Sequence, residues 1–234
     1  MTFGPLSTTT YAVNGVSFDM VRLPPGRLMD GEGSARRELL VSRPFELGLT
    51  QVTQALWRAV TGSSPSKFKG EDRPVEQVSH DDVQDFLALL PALGLTGFRL
   101  PTEAEWAWAA RCGASTRWAG ADRANPVAFT GTMRTEQPDP IAGRKVDPAG
   151  LFDLSGNVWE WSSDGRDHPT EGRAGGVDPV SLAGVSRIRM SRGGSWGAAP
   201  RSSRVALRTG MAASSQDSHF GFRLLRTQSS QDQK

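Results

Sequence analysis

Apolar residues recur at helical spacing in two stretches of the chain, and a helix-breaking residue follows each stretch. Residues 79–90 begin with a serine that can cap a helix, and Pro91 follows them. Residues 50–60 carry a weaker pattern, and Gly62 follows them. The apolar positions are Val83, Phe86, Leu87 and Leu90 in the first stretch, and Val52, Leu56 and Val60 in the second. The pattern predicts an amphipathic helix in each stretch.

A third helix is predicted by its first turn. In the sequence Thr102-Glu-Ala-Glu105, the threonine hydroxyl can accept a hydrogen bond from the third helical amide while Glu105 reaches back to the cap. Gly113 is the expected end of this helix. Glu103 and Glu105 are therefore interpreted as first-turn acids favoured by the helix dipole, and not as an acid–base pair.

Four further segments have the loose alternation and the bounding turn residues of β-strands. They are residues 16–28, which end near Pro24-Pro25-Gly26, residues 45–49, residues 187–196 and residues 220–225. Residues 115–150 show no sustained period, which predicts an irregular region. Short strands together with helices predict an α+β fold.

Length and charge limit the organisation and the partners of the chain. Its 234 residues are enough for one domain, and we expect an N-terminal extension at residues 1–15, a domain at 16–226 and a polar tail at 227–234. The 27 basic and 25 acidic residues nearly cancel, and no run of five or more like charges occurs. We therefore expect neither a nucleic acid nor a membrane as a partner.

Cysteine usage and the N-terminus indicate a compartment. Cys112 is the only cysteine, so the chain has no internal disulfide and no thiolate-rich zinc site, and such a lone thiol is more often inert than catalytic. Residues 1–10 lack the regions of a signal peptide, and no stretch reaches the roughly 20 apolar residues that span a bilayer. These features predict a cytoplasmic protein.

Four sequence blocks, in this order, resemble the formylglycine-generating enzyme and sulfatase-modifying factor family. They are PVEQVS at residues 74–79, FRLPTEAEW continuing to Arg111 from residue 98, GLFDLSGNVWEW at 150–161, and RGGSW at 192–196 followed by GFRL at 221–224. The resemblance implies a C-type-lectin-like fold, with a small, mainly antiparallel sheet, two main helices and much irregular structure.

The resemblance also locates the family's copper chemistry, which uses two cysteines between the RGGS block and the final GFR. Here residues 197–208 contain no cysteine, and Ala198 and Ser203 stand near the expected thiol positions. A cuprous ion needs soft sulfur ligands. We therefore expect no copper, no formylglycine-generating activity and no catalytic residue of that chemistry.

The same family holds a structural calcium ion at positions that match one block of this chain. The matching groups are Asp153, the Gly156 carbonyl, the Val158 carbonyl and Glu160. Oxygen ligands of these kinds suit calcium. The alternative is a Ser-Gly-Asn turn without an ion, in which Asp153 accepts hydrogen bonds from local amides.

Two other features have simpler interpretations than catalysis. Residues 193–197 fit the Gly-x-Ser-x-Gly pattern of hydrolases, but the sequence after Gly197 is a poor helix start, whereas a nucleophile elbow requires a strand that turns directly into a helix. The three histidines, at 80, 168 and 219, show no ligand spacing and are interpreted as ordinary surface or core residues.

Two classes of function stay open. The first is a non-catalytic ligand-binding domain that uses residues 197–220, as in the variable proteins of diversity-generating retroelements, which this chain resembles. The second is an oxidoreductase of the same superfamily that works without the cysteine pair, with Asp217 and His219 among its available polar groups. The candidate ligand-binding residues are Trp196, Gly197, Ala198, Ala199, Arg201, Ser202, Arg204, Leu207, Arg208, Thr209, Gly210, Met211, Ser218 and His219. The ligand is a protein or a small molecule.

Overall fold

The computed structural model describes residues 6–122, 136–142, 150–166, 176–179 and 187–227, which form short strands and helices. The strands are β1 (Thr8–Val13), β2 (Val16–Leu23), β3 (Gly26–Asp30), β4 (Arg37–Val41), β5 (Phe45–Gly48), β6 (Phe98–Arg99), β7 (Trp159–Gly165), β8 (Ile188–Arg192), β9 (Arg208–Ala212), β10 (Phe220–Phe222) and β11 (Leu225–Arg226). The α-helices are α1 (Gln54–Thr61), α2 (His80–Leu89) and α3 (Glu103–Arg111). Short 3-10 turns cover Gly33–Ala35, Leu90–Leu93 and Pro200–Ser203. The mixture confirms the predicted α+β class.

The described strands form three sheets. The first sheet has the order β1-β2-β5-β11-β6 with antiparallel pairs throughout, so that the late strand β11 lies between two early ones. The second has the order β10-β7-β8-β9, in which only β7 and β10 run parallel. Strands β3 and β4 form a separate antiparallel ribbon. The predicted mainly antiparallel sheet is therefore divided among three sheets.

All three predicted helices are present, and each begins at a capping side chain. The Thr53 hydroxyl accepts a hydrogen bond from Leu56 N, so α1 begins later than the apolar pattern suggested, and it ends at Gly62 with φ 73°. Helices α2 and α3 begin with capping boxes, formed by Ser79 with Asp82 and by Thr102 with Glu105. These local bonds satisfy amides that a helix leaves without partners at its N-terminus.

The strand boundaries differ from the sequence expectations at three places. Residues 8–13, which we assigned to an N-terminal extension, form β1 and pair with β2 from Thr8 opposite Val21 to Val13 opposite Val16. The predicted strand 16–28 is two strands, because Pro24 and Pro25 interrupt it. The predicted strand 220–225 is also two strands, since residues 223 and 224 leave the second sheet before β11 joins the first.

Two hydrophobic clusters form the core. One packs α3 against the β3–β4 ribbon and the first sheet, and it contains Trp106 and the 1% exposed Cys112. The other surrounds α1 and α2 and contains Trp161, Phe86 and Phe222. No helix within the described residues is both long and apolar enough to cross a membrane. His168 and the end of the predicted tail, 228–234, lie outside the described residues.

Candidate functional site

The candidate ligand-binding residues lie on four pieces of backbone that β8 and β10 bracket. These pieces are the turn at 196–199, the 3-10 turn Pro200–Ser203 with the segment that follows it, the strand β9, and the loop before β10. Strand β9 is at the edge of the second sheet, and all five of its residues are half-buried. We call this region, residues 196–219, the C-terminal face.

Two rings stack at one end of the C-terminal face. The Trp196 indole lies parallel to the His219 imidazole, with ring centroids 4.3 Å apart and planes inclined by 11°. The Phe68 ring meets Trp196 edge-on at a centroid distance of 5.4 Å. All three side chains are half-buried. We call Phe68, Trp196 and His219 the aromatic platform, because together they present flat apolar surface beside polar ring edges.

Hydrogen bonds to main-chain and carboxylate atoms hold the platform in place. The Trp196 backbone amide donates to the Asn157 carbonyl at 2.7 Å, and its indole Nε1 donates to the Ser218 carbonyl at 2.9 Å. Asp217 Oδ1 accepts from the His219 backbone amide at 2.8 Å and lies 2.7 Å from His219 Nδ1. Both rings are therefore oriented before any ligand arrives.

Gly197 lies against the second imidazole nitrogen of the platform. A β-carbon at this position would lie 2.7 Å from His219 Nε2, which is closer than such atoms approach. Glycine therefore lets the backbone pass over the histidine edge. The structure thus brings together four of the predicted residues: Trp196, Gly197, Ser218 and His219.

Other predicted residues do not join this group. Arg204 pairs with Glu32 at 2.8 Å, and Arg208 pairs with Glu103 at 2.7 Å. Arg201 is exposed on the 3-10 turn. The remaining predicted positions are half-buried in turns or on β9: Ala198, Ala199, Ser202, Leu207, Thr209, Gly210 and Met211. Arg208 is therefore held by a buried carboxylate, whereas Arg204 takes part in a surface ion pair.

A buried network of charged side chains connects β8 and β9 to α3 and β3. Arg192 donates through Nε to Glu103 Oε1 at 2.8 Å and through Nη2 to Asp30 Oδ2 at 3.1 Å. Burial alone would raise the pKa of Asp30, but Arg192 and Arg37 outweigh it and hold that pKa below its ordinary value. Glu103, which we interpreted as a first-turn acid, is only 3% exposed and binds two arginines, a role that the capping pattern did not reveal.

The sequence reasoning missed Phe68 and its neighbour Lys67. The Phe68 amide donates to Glu76 Oε1 at 2.7 Å, its carbonyl accepts from Gln54 Nε2 at 2.7 Å, and Lys67 Nζ lies 5.0 Å from the ring centroid. Burial raises the pKa of Glu76. Both residues lie in an irregular segment far from residue 196 in sequence, and no periodicity connects the two. The hydrogen bonds between Phe68 and the buried side chains of Gln54 and Glu76 explain why this segment is fixed.

The block at residues 150–161, which matches the family's calcium positions, contains a second polar centre that shares no residue with the platform. Gln51, on the segment before α1, directs Nε2 towards four oxygen atoms. The distances are 2.9 Å to Glu160 Oε1, 3.1 Å to the Val158 carbonyl, and 3.4 Å to the carbonyls of both Gly156 and Asp153. Glu160 and the carbonyls of Gly156 and Val158 therefore lie around one side chain that sequence reasoning did not single out, and Asp153 joins them through its carbonyl and not through its carboxylate.

Glu160 is the charged member of this centre. Arg223 donates to both of its oxygens, at 2.9 Å and 3.0 Å, and Trp106 Nε1 donates to Oε2 at 2.6 Å. Glu160 and Arg223 are both fully buried. The carboxylate charge of Glu160 is thus paired with Arg223 within the protein.

Asp153 contributes to the centre through its carbonyl. Its φ of 61° turns the backbone, and its carboxylate Oδ2 accepts from the Ala142 amide at 3.0 Å. Across the described ranges, no three His, Cys, Asp or Glu side chains cluster so that they could hold a metal ion. A cation at this centre would therefore depend on carbonyl oxygens, which calcium accepts.

The structure also shows what surrounds Ala198 and Ser203, which stand near the positions expected for copper-binding cysteines, and the single cysteine Cys112. Ser203 is fully buried and packs under Gly194, while Ala198 donates its amide to the Ser195 carbonyl at 3.0 Å. Cys112 ends α3 inside the first hydrophobic cluster. Its thiol belongs to the core and not to the C-terminal face.

Comparison with known proteins places this geometry in a family. The model of the sulfatase-modifying factor enzyme 1-like domain matches residues 12–228. A formylglycine-generating enzyme from Thermomonospora curvata is 33% identical over 193 residues, which cover 74% of this chain and 61% of the enzyme. The chaperone protein LppX from Paenibacillus barcinonensis is 26% identical over 234 residues, which cover 77% of this chain and 79% of that protein.

A solved structure, Treponema denticola variable protein 1, superimposes with a TM-score of 0.85 at 28% identity, covering 94% of this chain and 98% of the other. This likeness bears out the C-type-lectin-like fold of the formylglycine-generating type that the four blocks implied. On the match of the family model across residues 12–228, the chain belongs to the sulfatase-modifying factor enzyme 1-like domain family.

Proposed function

We propose that this domain binds a ligand without transforming it, and that the C-terminal face is the binding surface. The observation that carries the proposal is the aromatic platform, in which Trp196 and His219 stack at 4.3 Å and are held by the Ser218 carbonyl and the Asp217 carboxylate, respectively. Oriented half-exposed aromatic rings are what binding surfaces use as anchors, because their ordering costs little on association.

Two of the similar proteins support recognition over catalysis. The Treponema protein is called a variable protein and the Paenibacillus protein a chaperone, and neither name describes a reaction. The chain's only cysteine, Cys112, is buried in the core, so the face has no thiolate pair for cuprous chemistry. A more specific form of this proposal is that the chain is the variable protein of a diversity-generating retroelement. It requires a reverse transcriptase gene and a near-identical template repeat beside the coding sequence.

Selection from a random peptide library displayed on phage tests the face as the preferred surface. Peptides enriched on the wild-type protein should lose at least about tenfold in affinity for Gly197→Trp, in which the new side chain displaces His219 from the platform. The control is Arg27→Ala, which removes an exposed side chain paired with Glu38 and should retain every peptide. Peptides that bind both variants equally would place recognition elsewhere.

The alternative is an oxidoreductase that uses the Asp217–His219 pair. Asp217 holds Nδ1 at 2.7 Å, which directs Nε2 towards the Gly197 backbone, where it could exchange a proton with a substrate. Incubation with a sulfatase-type cysteine peptide, copper and oxygen tests one reaction that an oxidoreductase of this superfamily would catalyse. We expect no formylglycine above a metal-only control, and turnover that disappears in His219→Gln would favour the enzyme.

A further inference from the structure

Gln51 is surrounded by more acceptors than its amide can satisfy. The side-chain nitrogen carries two hydrogens, yet four oxygen atoms lie within 3.4 Å of it. The amide oxygen of the same side chain, Oε1, has no hydrogen-bond partner among the described residues, although Gln51 is only 1% exposed. A buried amide oxygen without a partner is unfavourable, and so are acceptors that share too few hydrogens.

We propose that Gln51 is a fifth oxygen ligand of a calcium ion, and that its amide turns over when the ion binds. The family resemblance implies only the four groups at Asp153, Gly156, Val158 and Glu160, and Gln51 is outside that set. Rotation about the last side-chain torsion exchanges Nε2 for Oε1, which would place five oxygens around one point. That arrangement is repulsive without a cation and favourable with one.

The donor set selects the kind of ion and its affinity. Three backbone carbonyls, one amide oxygen and one carboxylate are hard ligands of the type that calcium takes in irregular geometry, whereas magnesium demands a near-ideal octahedron. Only Glu160 is charged, and Arg223 already binds both of its oxygens. Because calcium affinity is lower when fewer ligands are charged, we expect a dissociation constant of about 10⁻⁴ to 10⁻³ M.

Terbium luminescence on the full chain tests this site directly. Trp106 Nε1 is 2.6 Å from Glu160 Oε2, so a terbium ion on the other carboxylate oxygen lies within a few ångströms of an indole that can sensitise it. We expect saturable emission that millimolar calcium displaces. Gln51→Met should weaken calcium binding by at least about tenfold, and Gln51→Glu should strengthen it by a similar factor, because it adds a second carboxylate.

Gln54→Met is the matched control. The Gln54 amide is also buried and also donates to carbonyls, those of Phe68 and Pro74, but it lies outside the four-oxygen centre. This variant should bind calcium as the wild type does. Calcium affinity that is unchanged in Gln51→Met, or a wild-type protein with no saturable emission and no calcium competition, overturns the proposal.

Side-chain amide NMR on the wild-type protein keeps the test independent of whether Gln51→Met folds. Calcium should shift the one side-chain NH₂ pair that is missing from the spectrum of Gln51→Glu, because Nε2 exchanges its carbonyl partners for the former surroundings of Oε1. If Gln51→Met does not fold, this shift alone decides. A Gln51 pair that stays in place while calcium binds shows that the amide does not turn and contradicts the proposal.

Discussion

The Glu160–Arg223 pair and the aromatic platform are both polar, but they differ in burial. Glu160 and Arg223 are fully buried, whereas the side chain of His219 is 35% exposed. The buried pair connects β7, Gly48 and Phe152 through one guanidinium, while the platform depends on rings and main-chain bonds at the surface. We therefore expect stability to depend on the buried pair and the proposed recognition to depend on the platform, so that the face could change its chemistry while the fold is retained.

The largest effect is expected at the buried pair. Arg223→Met leaves the Glu160 carboxylate buried without its main partner, and we expect the free energy of unfolding to fall by about 3–5 kcal/mol. Urea denaturation in the presence of a chelator measures this without interference from calcium. Adding Glu160→Gln to the same protein should recover part of the loss, because the unpaired charge is removed.

The exposed pair Arg27–Glu38 provides the control, since its side chains are 64% and 56% exposed. Arg27→Met should change the unfolding free energy by less than about 1 kcal/mol. Equal losses of unfolding free energy in Arg27→Met and Arg223→Met would contradict the expected difference between an exposed and a buried ion pair.

The next effect is a dependence of stability on pH that arises in the buried region alone. Burial, and then the nearby Arg189, lower the pKa of His80 to about 4, and its ring packs edge-on against Trp161 at 6.0 Å. Because the unfolded chain binds this proton near pH 6.5 and the folded chain near 4, stability should fall by about 3 kcal/mol as the pH drops through that window. Urea midpoints across the window measure the slope.

His80→Phe should flatten this slope, since phenylalanine keeps a buried ring and does not titrate. A slope that survives in His80→Phe would have to come from other groups, among which the buried Asp30 titrates at lower pH than this window.

A smaller effect is expected from the helix cap at the start of α3. The Thr102 hydroxyl accepts from the Glu105 amide at 3.1 Å, and Glu105 Oε2 accepts from the Thr102 amide at 2.8 Å. Thr102→Ala should lower the unfolding free energy by about 1 kcal/mol and leave peptide binding unchanged. Ser79→Ala removes the equivalent cap of α2 and should act similarly. An unchanged denaturation midpoint would show that the first capping box contributes nothing.

The smallest effect on stability is expected at the C-terminal face. Arg201 is exposed, so Arg201→Ala should change the unfolding free energy by no more than about 0.5 kcal/mol. The same variant is expected to alter the affinity of peptides selected on the wild-type face, and fluorescence anisotropy would detect this. A large loss of stability would show that this arginine belongs to the scaffold.

The parts of the fold that sequence predicted are those encoded by neighbouring residues. The cap at Thr102 and its partner Glu105 are three positions apart, so the pattern alone identifies the helix start. Strand β1 was missed because its Thr-Thr-Thr start shows no apolar alternation, although Tyr11 stacks on Phe18 of β2 at 5.7 Å. Its pairing is determined by a partner strand and not by its own sequence.

The candidate sites show the same division. Trp196 and His219 were proposed from a motif resemblance, and the structure stacks them, whereas Phe68 carried no signal because its contact crosses a large sequence separation. The oxygens around Gln51 come from positions 102 to 109 residues further along the chain. No periodicity within residues 50–60 indicates that a glutamine there faces carbonyls, since its orientation depends on tertiary packing.

The position of β11 has a consequence for synthesis of the protein. Leu225 pairs with Leu47 on one side and with Arg99 on the other, so a strand late in the sequence occupies the interior of the first sheet. Until residue 226 has left the ribosome, β5 and β6 cannot be joined, and each presents an unpaired edge that can associate with other chains. Because closure of this sheet also requires contacts far apart in sequence, the sheet should form slowly and only after residue 226 has been translated.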